Sequence, residues 1–402
     1  MNILFLSQRV PYPPNKGDKL RAFHEIRFLS QRHTISLVCL ADDPNDLQHT
    51  STLKEYCQSV DIVYHPESRA KIRSLFYLFS RVPLTLPYFY SKKLQTIVRQ
   101  KLRESRYDLI FVYCSSMAQY VEQVHHIPRV IDFVDLDSEK WVQYASHTQF
   151  PYNYVYRSEG KRLRKYEERL AKTFQHCFFV SDKEVQDFQE LVCSCPTVTP
   201  ILVGVDSEVF HPSPEPYDPT SLVFTGTMDY FANVEAMLYF VREVLPHIQQ
   251  SIPEVKLYIV GSRPSAEIQE LGKEHAHIIV TGYVDQVQPY VLKSAVFVAP
   301  MRIARGVQNK ILEAMAMGVP VVTTSLGFEG VTGVPGRDLF VEDHPERFAQ
   351  QVVQLMTDPE LRKHVSLNAR QLVEEYYNWD KNFEQLERIL LKARTHGAGE
   401  MS

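Results

Sequence analysis

The chain has 402 residues, 44% apolar and 23% charged, with a formal net charge of −4. This composition fits a globular chain of about two to three cores and excludes whole-surface attraction to nucleic acid, so no nucleic-acid partner is expected. No run approaches the roughly 18 apolar residues that span a bilayer. The opening Met1–Ser7 run is too short and lacks the basic flank of a signal peptide. Six scattered cysteines, with only Cys193 and Cys195 close together, read as reduced thiols. A cytoplasmic location is therefore expected.

In chain order, Ile3 to Leu6 reads as a buried strand, followed by a turn-rich loop from Pro11 to Asp18. A helix is predicted over Lys19 to Arg32 and a second strand over Ile35 to Leu40. Further strands are predicted at Leu109 to Tyr113, Val130 to Val134 and Cys177 to Val180. A long charged helix over Arg157 to Phe174 separates the last two. Proline and glycine gather from Val198 to Tyr217, which reads as a linker. Beyond it, strands are predicted at Leu222 to Thr225, Lys256 to Val260, His277 to Thr281, Ala295 to Ala299, Pro320 to Thr323 and Leu339 to Val341. Helices from about Pro345 and Pro359 end the chain. Strands alternating with helices imply parallel doubly wound sheets, whose ligands bind beyond the carboxyl ends of the strands.

Three of the C-terminal strands end in glycine, at Gly226, Gly261 and Gly282. Glycine there is either a plain turn residue or lets backbone approach a ligand. The segment Pro300 to Pro320 carries the densest chemistry. It follows a strand, turns at Gly306 into a helix, and is closed by Gly318. A helix N-terminus suits a phosphate, and Arg302, Arg305 and Lys310 surround that point with no acid among them. Lys310 and Glu313 share a helix face, so cation and carboxylate fit the diphosphate and the hydroxyls of a nucleotide-sugar. A solvated helix start with a Lys310–Glu313 surface pair is the competing reading.

Asp132, Asp135 and Asp137 follow the Val130–Val134 strand. They are either candidate proton acceptors or, for Asp135 and Asp137, caps for the helix through Trp141. Residues 69 to 103 hold nine basic side chains and no acid, interleaved with Phe76, Tyr77, Phe79, Tyr88, Phe89 and Tyr90. That pattern suits peripheral contact with an anionic membrane, or else a solvated basic face over core aromatics.

The C-terminal half resembles the retaining glycosyltransferases of family four, which have the glycosyltransferase B fold. It is most similar to the sugar transferases associated with exosortase and exopolysaccharide systems. The resemblance rests on Phe224 to Ala236, Val260 to Pro264, Thr281 to Asp285 and Arg305 to Gly318. Gly204-Val205-Asp206 with Phe210 and Pro212, and Pro13 to Arg21, add to it. It implies an α/β chain of two Rossmann-like doubly wound domains facing a cleft. The expected bounds are an acceptor-side domain at 1–205, a linker at 206–218 and a donor-binding domain at 219–375. A helix at 376–402 is expected to pack back on the first domain.

The implied activity moves a sugar from a nucleotide-diphosphate-sugar to a glycan or lipid-linked acceptor in polysaccharide biosynthesis. The enzyme would sit on the inner face of the cytoplasmic membrane, with neither metal nor cofactor. By resemblance, Glu313 holds the ribose hydroxyls, and Gly306 with Asn309 lies in the loop that meets the diphosphate. Gly282 and Tyr283 lie near the base, Gly226, Thr227 and Gly261 on the donor rim, and Gly17 faces the transferred sugar and acceptor. The family's first signature glutamate falls at 305, where this chain has Arg305. Thr227 to Tyr230 stands where the family carries basic residues, and the family's histidine near Asp135 is lacking. Arg302, Arg305 and Lys310 are expected to carry the diphosphate charge instead. The alternatives are a nucleotide-sugar epimerase of the same fold and an inactive nucleotide-binding subunit. A pyridine-nucleotide oxidoreductase is disfavoured, because no G-x-G-x-x-G follows the first strand.

Overall fold

The computed structural model describes residues 1–14, 17–193 and 197–399. Asn15 and Lys16 of the Pro13–Arg21 segment, and Cys195, lie outside them. The chain divides into two compact units, Met1–Leu202 with Asp380–Ser402, and Val203–Trp379.

The first unit is built on a seven-stranded parallel sheet. Its strands are β1 (Asn2–Ser7), β2 (Thr34–Ala41), β3 (Ser59–Tyr64), β4 (Leu109–Tyr113), β5 (Arg129–Val134), β6 (His176–Phe179) and β7 (Val198–Pro200), in the spatial order 3-2-1-4-5-6-7. The central strands are apolar throughout because helices cover both faces; β4, Leu-Ile-Phe-Val-Tyr, is wholly buried. Phe5 and Phe111 stack at 4.7 Å between ring centroids across the β1–β4 pair. The Trp379–Gly399 helix docks here: Phe383 packs on Phe28, and Glu387 takes Arg32 at 2.5 Å and His33 at 2.9 Å.

Val203–Trp379 holds a six-stranded parallel sheet of β8 (Asp218–Thr225), β9 (Lys256–Val260), β10 (Ile278–Gly282), β11 (Ser294–Ala299), β12 (Val321–Thr323) and β13 (Phe340–Val341). Their order is 10-9-8-11-12-13, so the winding reverses between β8 and β11. That switch point is where an open α/β sheet leaves a crevice at its carboxyl edge. The loops after β8, β9 and β11 meet there.

Candidate functional site

In the second unit the glycines after β8 and β9 let two loops come into contact. A Cβ on Gly261 would sit 1.7 Å from the Gly226 carbonyl oxygen. One on Gly226 would lie 2.6 Å from Asn233 Nδ2 and 3.1 Å from Lys310 Nζ. Close approach, not only turn geometry, therefore demands glycine at both positions. Asn233 is the keystone of this corner. It lies on the buried face of the Phe231–Tyr239 helix, donates to the Thr227 carbonyl at 2.9 Å, and accepts from Lys310 Nζ at 2.6 Å. Lys310 Nζ also stands 4.2 Å over the Phe224 ring. Asn233 carries two sequence signals: it lies in the Phe224–Ala236 segment, and it is a polar residue on an otherwise apolar helical stripe.

The helix that follows runs Asn309–Ala316, three residues later than its expected start at Gly306, and Gly318 follows its end with φ 69°. Its N-cap is Gln308, with no side-chain cap hydrogen bond, and Lys310 lies in its first turn. Burial lowers the Lys310 pKa to about 7 and raises that of Glu313 to about 7, each partly offset by the other's charge.

The expectation of three cations with no acid among them is corrected by the fold. Arg302 pairs with Glu235 at 3.2 Å and lies over Tyr239. The Arg305 side chain is buried, 4.0 Å from Glu329. Both carboxylates come from elements distant in sequence, which a local scan does not see. Gly306 and Gly282 have φ of 63° and 69°, and Tyr283 beyond β10 is largely exposed.

In the first unit the carboxyl edge of the sheet is strained. Cys114 after β4 has φ 72°, and Val134 at the end of β5 has φ 68°. Such angles are uncommon for any residue but glycine, most of all for β-branched Val134, and cost about 1–3 kcal/mol each. At Val134 the Phe133 carbonyl accepts from Asp135 N at 2.9 Å, closing a γ-turn. Asp132 Oδ1 accepts from Val134 N at 2.7 Å, and Asp132 Oδ2 receives Arg21 Nε at 2.8 Å and Nη2 at 2.6 Å. Arg21 in turn donates to the Ile201 carbonyl at 2.8 Å, and Glu25 Oε1 lies 3.3 Å from its Nε. The Arg21, Glu25 and Asp132 side chains are all buried. Burial, and then the Asp132 charge, hold the Glu25 carboxyl well above its ordinary range. Asp132 is therefore locked in structure, while Asp135, half-buried, is presented by the strained turn.

The capping reading of Asp135 and Asp137 is not what the fold uses. The helix begins at Asp137 itself, its N-cap is Leu136, and no side chain caps it from that position. Its first N–H groups are met instead by Glu184, which accepts from Leu136 N at 2.7 Å, and Glu167, which accepts from Ser138 N at 3.0 Å. Burial raises the Asp137 carboxyl, against the charge of Lys140. Gly17 is exposed at the first position of the Gly17–Ser30 helix. Two other residues of that motif are consumed in structure: Arg21 as above, and Lys19 in a buried pair with Asp46 at 2.8 Å.

Residues 219–358 match the family model described as glycosyl transferases group 1. A 44.6 kDa protein of the cps region of Klebsiella pneumoniae is 23% identical, over 96% of this chain and 98% of its own length. Among solved structures, sucrose-phosphate synthase from Thermosynechococcus elongatus superposes with a TM-score of 0.73 at 17% identity, over 98% of this chain and 100% of its own. Anabaena HepE in complex with UDP-glucose superposes at 0.69 and 14% identity, over 98% and 100%. The corner built from Gly226, Asn233 and Lys310 falls inside the matched segment, at the switch point of a sheet with the glycosyltransferase B winding. Residues 219–358 of the second unit thus match the group 1 glycosyl transferases, and the chain that carries them is a glycosyltransferase.

Proposed function

We propose that this glycosyltransferase is a retaining enzyme of the exosortase and exopolysaccharide subgroup. It moves a sugar from a nucleotide-diphosphate-sugar to a glycan or lipid-linked acceptor. The observation that carries this is the half-buried Lys310 ammonium, held by Asn233 beside Gly226, with Glu313 one turn further on the same helix. Breaking the bond between sugar and diphosphate places negative charge on the leaving phosphate. Lys310, the exposed Arg302 and the first N–H groups of the Asn309–Ala316 helix stabilise that charge without a metal. Glu313, once ionised, accepts from ribose hydroxyls. Arg305, turned towards Glu329, shapes the sugar end of the corner with Gly306. Gly261, Thr227 and Asn309 line it, and Gly282 with Tyr283 flanks the base.

On the acceptor side the proposed proton acceptor is Asp135, presented by the γ-turn at Val134, with Asp137 beside it and Gly17 towards the sugar. Retained turnover in Asp135→Asn removes Asp135 from that role. HepE binding UDP-glucose, and the cps-region setting of the Klebsiella relative, support a nucleotide-sugar donor and a polysaccharide product. Contact of residues 69–103 with an anionic membrane belongs to the same proposal.

The test is a thermal-shift screen of nucleotide-sugars against the wild type, Glu313→Ala and Lys310→Ala. At least one nucleotide-sugar is expected to raise the wild-type midpoint and to leave both variants unmoved. No shift with any donor, or the same shift in all three proteins, overturns the donor site.

A further inference from the structure

The Glu67–Leu75 helix and the turns that prolong it to Phe79 carry Ile72, Leu75, Phe76 and Phe79 at the spacing i, i+3, i+4, i+7. That is one helical face, which in a soluble fold is the face that packs inward. Here it faces solvent: Phe76 is 84% exposed and Phe79 98%, with Ile72 and Leu75 more than half exposed. The opposite side is the anchored one. Ala70 is buried there, and Arg73 donates to the carbonyls of Pro87 at 2.5 Å and Tyr88 at 3.0 Å.

The segment is also pinned from below by the Tyr152–Thr173 helix. Arg162 of that helix donates to the carbonyls of Tyr77, Leu78 and Val82 at 3.3, 2.6 and 3.3 Å. Glu159, one turn earlier, accepts from Leu84 N at 2.6 Å and Thr85 N at 2.9 Å. The phenylalanines are thus held outward on a fixed backbone. At the N-terminal end of the same supporting helix, Phe150, Tyr152 and Tyr154 are exposed as well. Tyrosine there suits the headgroup level of a bilayer.

Charge decides what covers this face. No Asp or Glu occurs from Arg69 to Arg103, and Arg69, Arg81, Lys92 and Lys93 are all exposed. Lys71 is spent on Glu67 at 2.7 Å and Lys101 on Asp61 at 2.8 Å. An apolar stripe flanked by free cations matches the acyl boundary and phosphates of an anionic bilayer.

We propose that Ile72, Leu75, Phe76 and Phe79 form a wedge that inserts into an anionic membrane, with Arg69 and Arg81 on the lipid phosphates. This rests on the membrane contact proposed above and narrows it. The Lys92–Glu104 helix buries its own apolar residues Leu94 and Val98, so it contributes charge but no insertion. Tyr88 and Phe89 pack inward and take no part.

The experiment is co-sedimentation of the full chain with vesicles of equal parts phosphatidylglycerol and phosphatidylcholine, against phosphatidylcholine alone. The wild type is expected to bind the anionic vesicles. Phe76→Ser/Phe79→Ser is expected to bind them about 30-fold or more weakly, with an unchanged thermal midpoint because both side chains lie in solvent. Phe79→Trp is expected to shift its emission to the blue on binding and to be quenched by brominated acyl chains. A double variant that binds as the wild type does overturns the wedge and leaves basic adsorption. A wild type that binds no vesicle overturns both the wedge and the membrane contact. A chain that dimerises through this face, is monomeric in the double variant and binds no vesicle assigns the stripe to self-association and overturns the proposal. The thermal-shift response through Glu313 is independent of all three, so loss of the wedge is distinct from loss of the glycosyltransferase site.

Discussion

Asp132 and Glu25 sit within reach of one guanidinium, and their substitution should not be additive. Arg21 is 1% exposed and meets Asp132 at 2.6 and 2.8 Å, with Glu25 at 3.3 Å as a second, weaker partner. Removing the charge of one partner in a buried pair costs about 3–5 kcal/mol, because the other charge is left uncompensated. Here Asp132→Asn should cost less, about 2–3 kcal/mol. Without the Asp132 charge beside it, Glu25 gives up its proton more readily and takes over part of the pairing. Glu25→Gln alone replaces a carboxyl whose charge burial disfavours, at the weaker contact, and should cost about 1 kcal/mol or less. The double variant has neither carboxylate, so it should lose at least about 1 kcal/mol more than the two single losses summed. The assay is urea denaturation followed by Trp141 fluorescence in a Trp379→Phe background. The chain has two tryptophans, and only Trp141 lies in the first unit. Additivity within about 0.5 kcal/mol, or a Glu25→Gln loss equal to that of Asp132→Asn, refutes the reasoning.

Other outcomes follow from the same contacts. In a Glu313→Gln background, which removes the charge that raises Lys310, nucleotide-sugar affinity is expected to be flat at low pH and to fall by up to about tenfold per unit above a break lying below pH 7. The sign follows because the free Lys310 loses its proton above its lowered pKa, and the diphosphate must restore it; calorimetry at several pH values reads this. Gly226→Ala drives a Cβ into Asn233 and to within 3.1 Å of Lys310 Nζ, so donor affinity should drop at least about tenfold in the same titration. Val134→Gly removes a side chain from φ 68°, and relief of about 1–2 kcal/mol of backbone strain should bring its denaturation free energy to within about 1 kcal/mol of the parent. Lys310→Ala should lower kcat by about 100-fold or more once a donor and acceptor are in hand.

Most of the strands that sequence periodicity finds lie inside their sheets, although the half-buried edge strands β10 and β13 are found as well. Leu109–Tyr113 and Lys256–Val260 match their expected limits, because an unbroken apolar run has no competing explanation. β3 escaped notice because, at the sheet edge, Ser59 and Asp61 alternate with its apolar residues. β7 was missed because Thr199 and Pro200 dilute three residues into an apparent linker. The donor corner was half legible. Glycine at strand ends and the Lys310–Glu313 spacing are local signals, whereas the Asn233 bridge spans 77 residues. The Glu235 and Glu329 partners of Arg302 and Arg305 are set by the winding of the sheet, so local charge overstated the free positive charge.

The same distinction separates the two strand-end edges. In the second unit the polar groups converge on small residues: a Cβ at Gly226 would meet Asn233 and Lys310, and one at Gly261 the Gly226 backbone. In the first unit the carboxylates nearest the strand ends are occupied by backbone N–H groups and one arginine, and what they hold is a γ-turn under strain. Strain of about 1–3 kcal/mol persists only where surrounding contacts over-determine it. The Arg21–Asp132 pair and the Asp132–Val134 hydrogen bond are those contacts. The 111-residue span from Arg21 to Asp132 explains why no reading of the Val130–Ser138 segment alone could separate the locked aspartate from the presented one.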